Sequence, residues 1–121
     1  DLGFMLYLGE GDKTKDYFVA LTNTNPKVLV YFVSWLRRFF DINEKKLRCR
    51  LYLWENVSES KAKLFWSKTL KISSDQFTKS YISKSVPKIR KQRHVNGVCR
   101  VSYGSKKIFS EISNGIKLIV D

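Results

Sequence analysis

Apolar side chains recur with helical spacing between residues 26 and 40. They are Val28, Phe32, Trp35, Leu36 and Phe39, and they share one helical face because an α-helix has about 3.6 residues per turn. Asn25 is a favourable N-cap, and Pro26 suits the first helical position. The pattern therefore predicts a helix over residues 26–40. Arg37 and Arg38 lie in its last turn, where they suit the helix dipole and fit either a solvated turn or a DNA contact.

Residues 46–54 alternate between two kinds of side chain. The apolar set is Leu47, Cys49, Leu51 and Leu53, and the basic and aromatic set is Arg48, Arg50, Tyr52 and Trp54. Successive side chains of a strand point to opposite faces. The alternation thus predicts a strand with one face on the core and a basic, aromatic face opposite.

Shorter patterns predict the other elements. Strands are expected over residues 17–22, 78–84 and 97–103, the last with Val98, Arg100 and Ser102 on one side and Cys99, Val101 and Tyr103 on the other. A helix over 59–70 is expected to be capped by Ser58, with Ala62, Phe65, Trp66 and Thr69 inward and Lys61, Lys63 and Lys68 outward. A last helix follows Ser105 and contains Ile108, Phe109 and Ile112, with Gly115 as a candidate for its end.

The order of these elements predicts the fold class. Residues 2–9 are apolar but too few for periodicity to separate a helix from a strand; taken as a helix, they begin the order helix, strand, helix, strand, helix, strand, strand, helix. That order predicts one α+β domain over residues 1–121, with helices on one face of an antiparallel sheet. The other face is expected to be open and to carry arginines.

Composition supports a folded domain and limits its chemistry. The 121 residues are 43% hydrophobic and 14% aromatic, enough for a core. No apolar run reaches the roughly 18–20 residues of a membrane span, so no membrane partner is expected. The chain starts at Asp1 without Met, which leaves open a missing N-terminal segment.

Cysteine and histidine are too few for a metal or nucleophilic site of the common kinds. Cys49 and Cys99 stand apart, and His94 is the sole histidine, which argues against structural zinc and a histidine-based triad. Both cysteines are expected to be buried and reduced. An intracellular location (cytoplasm, nucleoid or organelle matrix) is the simplest expectation.

Positive charge is concentrated in the second half of the chain. Residues 1–60 contain nine Lys/Arg and eight Asp/Glu, whereas residues 61–121 contain fourteen and three. Such a field attracts polyanions. A membrane surface or an acidic protein would satisfy charge alone, so the shape of the basic surface must decide.

Two basic regions are candidates for contact with nucleic acid. On the predicted sheet face, arginines at two-residue spacing suit successive phosphates or guanine edges; an ordinary solvated face is the alternative. The candidates there are Arg48, Arg50, Tyr52, Trp54 and Arg100. The connection 84–93 suits phosphate clamping without sequence choice, with a merely soluble loop as the alternative. Its basic residues are Lys84, Lys88, Arg90, Lys91 and Arg93.

Glu10 lies between Gly9 and Gly11 at the end of the first apolar segment. A carboxylate there requires a cation or a capping partner, and a second Glu10 from a symmetry mate would complete a divalent-metal site. A turn that simply ends a helix explains the same residues.

Several segments, in order along nearly the whole chain, resemble a known family. They are Gly3-Phe-Met-Leu-Tyr-Leu-Gly9-Glu10-Gly11, Thr22-Asn-Thr-Asn-Pro26, Lys46-Leu-Arg-Cys-Arg-Leu-Tyr52, Ala62-Lys-Leu-Phe-Trp66 and Gly97-Val-Cys-Arg-Val-Ser102. The set is similar to single-motif LAGLIDADG homing-endonuclease domains, especially short bacterial proteins whose motif reads roughly G-x-x-L-Y-x-G-E-G.

The resemblance implies a homodimeric, metal-dependent, site-specific endonuclease of double-stranded DNA. Its fold would be αββαββα with a saddle-shaped antiparallel sheet on DNA, here with an extra surface helix. The motif helices would pair at a two-fold axis, through Leu2, Met5, Leu6 and Gly9. Glu10 would be catalytic and, with the Gly9 backbone carbonyl, would bind Mg²⁺ or another divalent metal.

The chain departs from the family pattern at two motif positions. Leu8 stands where many members have an acid, and Met5 where most have a small residue. A second, basic catalytic residue is not assigned by motif; Lys13, Lys15 and Lys84 are candidates for it and for DNA contact.

Three other interpretations stay open. Proteins of this fold also bind DNA without cutting it, so a non-catalytic regulator is the first. The second is an RNA-binding or intron-splicing module, in which Tyr52 and Trp54 stack on unpaired bases. The third is a structural protein that is basic only for solubility.

Overall fold

The computed structural model describes residues 11–12, 18–84 and 95–120, with side chains described over 18–84 and 95–115. The described residues belong to the α+β class, as predicted. In chain order the elements are β1 (Gly11–Asp12), β2 (Phe18–Asn23), α1 (Pro26–Phe39), β3 (Leu47–Trp54), α2 (Glu59–Leu70), β4 (Tyr81–Ser83), β5 (Val98–Gly104) and α3 (Lys106–Val120), with short 3-10 turns at Glu44–Lys46 and Ser74–Gln76. The predicted first helix, over residues 2–9, lies outside these residues.

The strands of the described residues form one five-stranded sheet in the order β1-β2-β5-β3-β4. The β1/β2, β2/β5 and β5/β3 pairs are antiparallel, but β3 and β4 are parallel. The prediction of a purely antiparallel sheet was therefore wrong at this edge. The chain passes through α2 between β3 and β4, and such a crossover returns the second strand in the same direction.

Local capping explains where the helices begin. The Asn25 side chain accepts a hydrogen bond from the Lys27 backbone N–H at 3.0 Å, with Pro26 in the first turn. Ser58 and Ser105 cap α2 and α3 in the same way, through backbone N–H groups three residues further on. These three caps were predicted.

Gly115 does not end the last helix. The helix α3 continues to Val120, because a single glycine costs a helix only about 1 kcal/mol.

One apolar core lies between the helices and a single face of the sheet. The core takes alternate residues from each long strand, as the sequence pattern predicted for β3 and β5. Its strand members are Val19, Leu21, Leu47, Cys49, Leu51, Leu53, Cys99, Val101 and Tyr103, and its helix members include Leu29, Phe32, Leu36, Ala62, Trp66, Leu70, Ile108 and Ile112. Phe39 was predicted to face inward but is 58% exposed, because the buried stripe of α1 runs through Leu29 and Val33.

Cys49 and Cys99 lie in this core as free, buried thiols. A hydrogen bond with Cys49, together with burial, raises the pKa of the Cys99 thiol well above its ordinary value. Cys99 therefore stays protonated and unreactive at neutral pH, which agrees with the structural role predicted for it.

The segment that follows α2 runs beside β3. The Gln76 side chain donates to the backbone oxygens of Glu44 and Leu47, each at 2.8 Å. The Thr78 N–H donates to the Cys49 oxygen at 2.8 Å, and β4 then pairs with the last part of β3. The predicted strand over 78–84 is thus narrower, at Tyr81–Ser83, and begins after an irregular approach along the same edge.

Candidate nucleic-acid interface

The face of the sheet opposite the core carries the side chains that the core leaves out. In β2 to β5 they come from Phe18, Ala20, Thr22, Arg48, Arg50, Tyr52, Trp54, Tyr81, Ser83, Val98, Arg100, Ser102 and Gly104. We call this surface the open face, although Ala20 and Ser102 within it are buried. None of these side chains is acidic, and three of them are guanidinium groups. The predicted basic, aromatic face of β3 is therefore present and extends over its neighbours.

Three arginines form one end of the open face, which we call the arginine end. Arg50 and Arg100 stand directly opposite each other on β3 and β5, with Thr22 of β2 next in the same row. Arg48 begins the adjacent row, opposite Ser102. Like charges directly opposite on neighbouring strands repel each other.

Arg48 is hydrogen-bonded to the neighbouring backbone. Its Nη1 donates to the carbonyl oxygens of Lys45, at 2.5 Å, and Leu47, at 2.8 Å. These bonds fold the guanidinium back toward the start of β3. Arg50 is exposed, and its guanidinium carbon lies 5.7 Å from the ring centre of Tyr52.

Three aromatic residues form the other end, which we call the aromatic end. Tyr52 and Tyr81 face each other across the β3/β4 pair, with ring centres 6.2 Å apart and planes tilted by 48°. Tyr81 is 56% exposed, whereas Tyr52 and Trp54 are half-buried. Val98 of β5 lies opposite Tyr52 on the other side. The cation–π contact between Arg50 and Tyr52 joins the two ends.

The prediction from the sequence did not include Tyr81 in this surface. A strand was predicted there, but three residues show no alternation from which a face could be assigned. Its face follows from its register with Tyr52. The only signal in the sequence was the β-forming character of the segment.

Lys84 and Arg37 occupy different surroundings. Lys84 is exposed directly after β4, near the aromatic end. Arg37 does not reach the open face, because its guanidinium binds the Glu44 carboxylate and the backbone oxygens of Leu70 and Lys71. Neither a solvated turn nor a DNA contact describes Arg37, whose contacts within the protein are structural.

The other predicted site residues lie outside the described part of the chain. They are Leu2, Met5, Leu6, Gly9, Glu10, Lys13, Lys15, Lys88, Arg90, Lys91 and Arg93. Among the described residues, no three acidic, histidine or cysteine side chains come together as a metal site.

Within the described ranges, no helix combines the length and apolar character needed to cross a membrane. No family model, no curated protein and no solved structure matches the chain.

Proposed function

We propose that this protein binds duplex DNA through the open face of its sheet. The observation that carries the proposal is the register of Arg50 and Arg100, which stand directly opposite each other on a surface with no acidic side chain from β2 to β5. Two adjacent like charges are favourable when a polyanion lies between or across them.

The shape of the surface suits a duplex. Strands β3 and β5 pair over six positions and are flanked by β2 and β4, so the sheet would lie across the duplex and its long arginine side chains would reach into the major groove, which is about 12 Å wide. Guanidinium groups bind phosphates or donate two hydrogen bonds to the edge of guanine. The basic segment 84–93 supplies five further positive charges directly after β4, which adds affinity without sequence choice.

The test is a double variant, Arg50→Gln with Arg100→Gln, titrated against a labelled duplex at several salt concentrations. Each phosphate contact contributes about 0.9 to the slope of log affinity against log salt. We therefore expect weaker binding and a slope reduced by about 1 to 2.

The matched control is Lys27→Gln with Lys68→Gln, which removes the same charge from exposed positions on α1 and α2. Its affinity and salt slope should remain close to those of the unmodified protein. Equal weakening by the two double variants would mean that binding uses diffuse charge, and the open face would be rejected as the interface.

A second candidate function is cleavage of the bound DNA by a homodimer. The sequence Gly9-Glu10-Gly11 favours it, because Glu10 matches the family's catalytic acid and directly precedes β1 of the same sheet. The expected activity is Mg²⁺-dependent nicking of duplex targets.

Glu10→Gln should abolish this nicking and leave DNA affinity unchanged, whereas Asp12→Asn, which removes an acid two residues away, should still cleave. Duplex binding without cleavage across a broad target library would leave the non-catalytic regulator as the function.

A further inference from the structure

We propose that the aromatic end of the open face binds an unpaired base of DNA, at a junction whose duplex part lies on the arginine end. This inference rests on the proposed duplex binding. It adds a second ligand element, a single-stranded nucleotide, and assigns its recognition to the ring of Tyr81.

Basic and aromatic side chains are segregated along β3. Arg48 and Arg50 lie toward the start of the strand and Tyr52 and Trp54 toward its end. Strands β4 and β5 extend this division, since Arg100 stands opposite Arg50 and Tyr81 opposite Tyr52, whereas Phe18 of β2, 44% exposed, lies beyond Arg48 at the arginine end. The open face therefore presents two adjoining surfaces of different chemistry.

The arginine end and the aromatic end suit different parts of a nucleic acid. A duplex exposes phosphates and the edges of its bases, both of which suit guanidinium groups. The flat faces of paired bases are covered by their neighbours in the stack. Aromatic side chains stack on bases only where a base is unpaired or splayed out.

The ring of Tyr81 is exposed although it lies in a cross-strand pair. This ring is 56% exposed at the edge of the sheet, and Tyr52 lies beside it at 6.2 Å between ring centres. A cross-strand tyrosine pair that served only the sheet would gain most from mutual burial. Tyr81 instead keeps over half of its surface in solvent, next to a ring that already contacts the Arg50 guanidinium.

Charge complementarity selects a nucleotide over an apolar ligand. The aromatic end adjoins three arginines and is followed by exposed Lys84. A nucleotide matches this pattern, because it carries an aromatic base on an anionic backbone. The ring and the guanidinium groups would then hold the base and the phosphates of the same strand.

The experiment compares two DNA ligands of equal length by fluorescence anisotropy, one fully paired and one with a single unpaired base. We expect the unmodified protein to bind the second ligand roughly ten-fold more tightly, as one base–aromatic stack provides. Tyr81→Val keeps a strand-forming residue but removes the ring, and should abolish this preference, so that the two ligands bind with equal affinity. Tyr81→Phe keeps the ring and should preserve the preference.

A fluorescent base analogue at the unpaired position provides a second readout. Its emission should change on binding to the unmodified protein and to Tyr81→Phe, but not to Tyr81→Val. Equal affinity for the two ligands, or a preference that persists in Tyr81→Val, would overturn the inference. So would tighter binding of single-stranded RNA than of either DNA.

Different experimental results would reject the unpaired-base site and the proposed duplex binding. If the paired duplex binds with Arg-dependent affinity but shows no preference for an unpaired base, only the inference fails. If Arg50→Gln with Arg100→Gln leaves binding to both ligands unchanged, the proposed function fails and the inference fails with it.

Discussion

Arg37 and Arg38 are neighbours of the same type whose surroundings differ. The Arg37 guanidinium joins three segments, since it binds the Glu44 carboxylate at 2.8–3.0 Å and donates to the backbone oxygens of Leu70 and Lys71, both at 3.0 Å. Arg38 is exposed and lies over the ring of Phe39, 5.5 Å from its centre. The first arginine thus connects the ends of α1 and α2 to the turn before β3.

Replacing Arg37 by Ala should lower the free energy of unfolding by about 1.5–3 kcal/mol, because hydrogen bonds from a charged donor would be lost and the partly buried Leu70 carbonyl oxygen would lose its partner. Denaturant unfolding followed by circular dichroism measures this change. Arg37→Lys should not restore stability, since an ammonium group lacks the planar fork that reaches three acceptors.

Arg38→Ala removes the same charge from the adjacent position and should change the unfolding free energy by less than about 0.5 kcal/mol. If Arg37→Ala and Arg38→Ala proved equally stable, the hydrogen bonds of Arg37 would not contribute to stability.

Strand β5 occupies the centre of the sheet, and Gly97 determines how it begins. Gly97 has φ +72°, and a Cβ there would lie 2.6 Å from the Tyr52 carbonyl oxygen and would clash with the Leu53 side chain. The residue before it, Asn96, accepts a hydrogen bond from the Trp66 indole at 2.9 Å. This tight turn sets Val98 opposite Tyr52, and two residues later Arg100 opposite Arg50.

Gly97→Ala should destabilise the protein by about 2 kcal/mol or more, because the side chain meets both a strained backbone conformation and a filled space. Thermal or denaturant unfolding measures the loss. We also expect weaker duplex binding, since any shift of β5 would separate Arg100 from Arg50.

Gly104→Ala, at the other end of the same strand, is the control. A Cβ there would lie 3.2 Å from the movable ring of Phe18, and the backbone is not in the left-handed region. Stability losses of the same size at both positions would show that Gly97 has no special conformational role.

At the scale of the whole molecule, the net charge and the candidate interface have different origins. Most of the positive excess comes from residues 61–121, but Arg48 and Arg50 belong to the nearly neutral first half. Several basic residues of the second half, such as Lys61 and Lys68, lie on α2, whose buried residues pack on the core face of the sheet. Under the proposed function, total charge favours a polyanionic partner, and the sheet determines which arginines would contact it.

The sequence by itself determined the local elements and the two faces of β3. The helix over Pro26–Phe39, its Asn25 cap and the alternation of residues 47–54 follow from interactions between residues a few positions apart. Only the tertiary structure decided the parallel β3/β4 pair, the register of Arg50 with Arg100, the place of Tyr81 beside Tyr52 and the contacts of Arg37. These depend on residues about 30 to 50 positions apart, whose meeting is set by how the whole core packs and not by any local pattern.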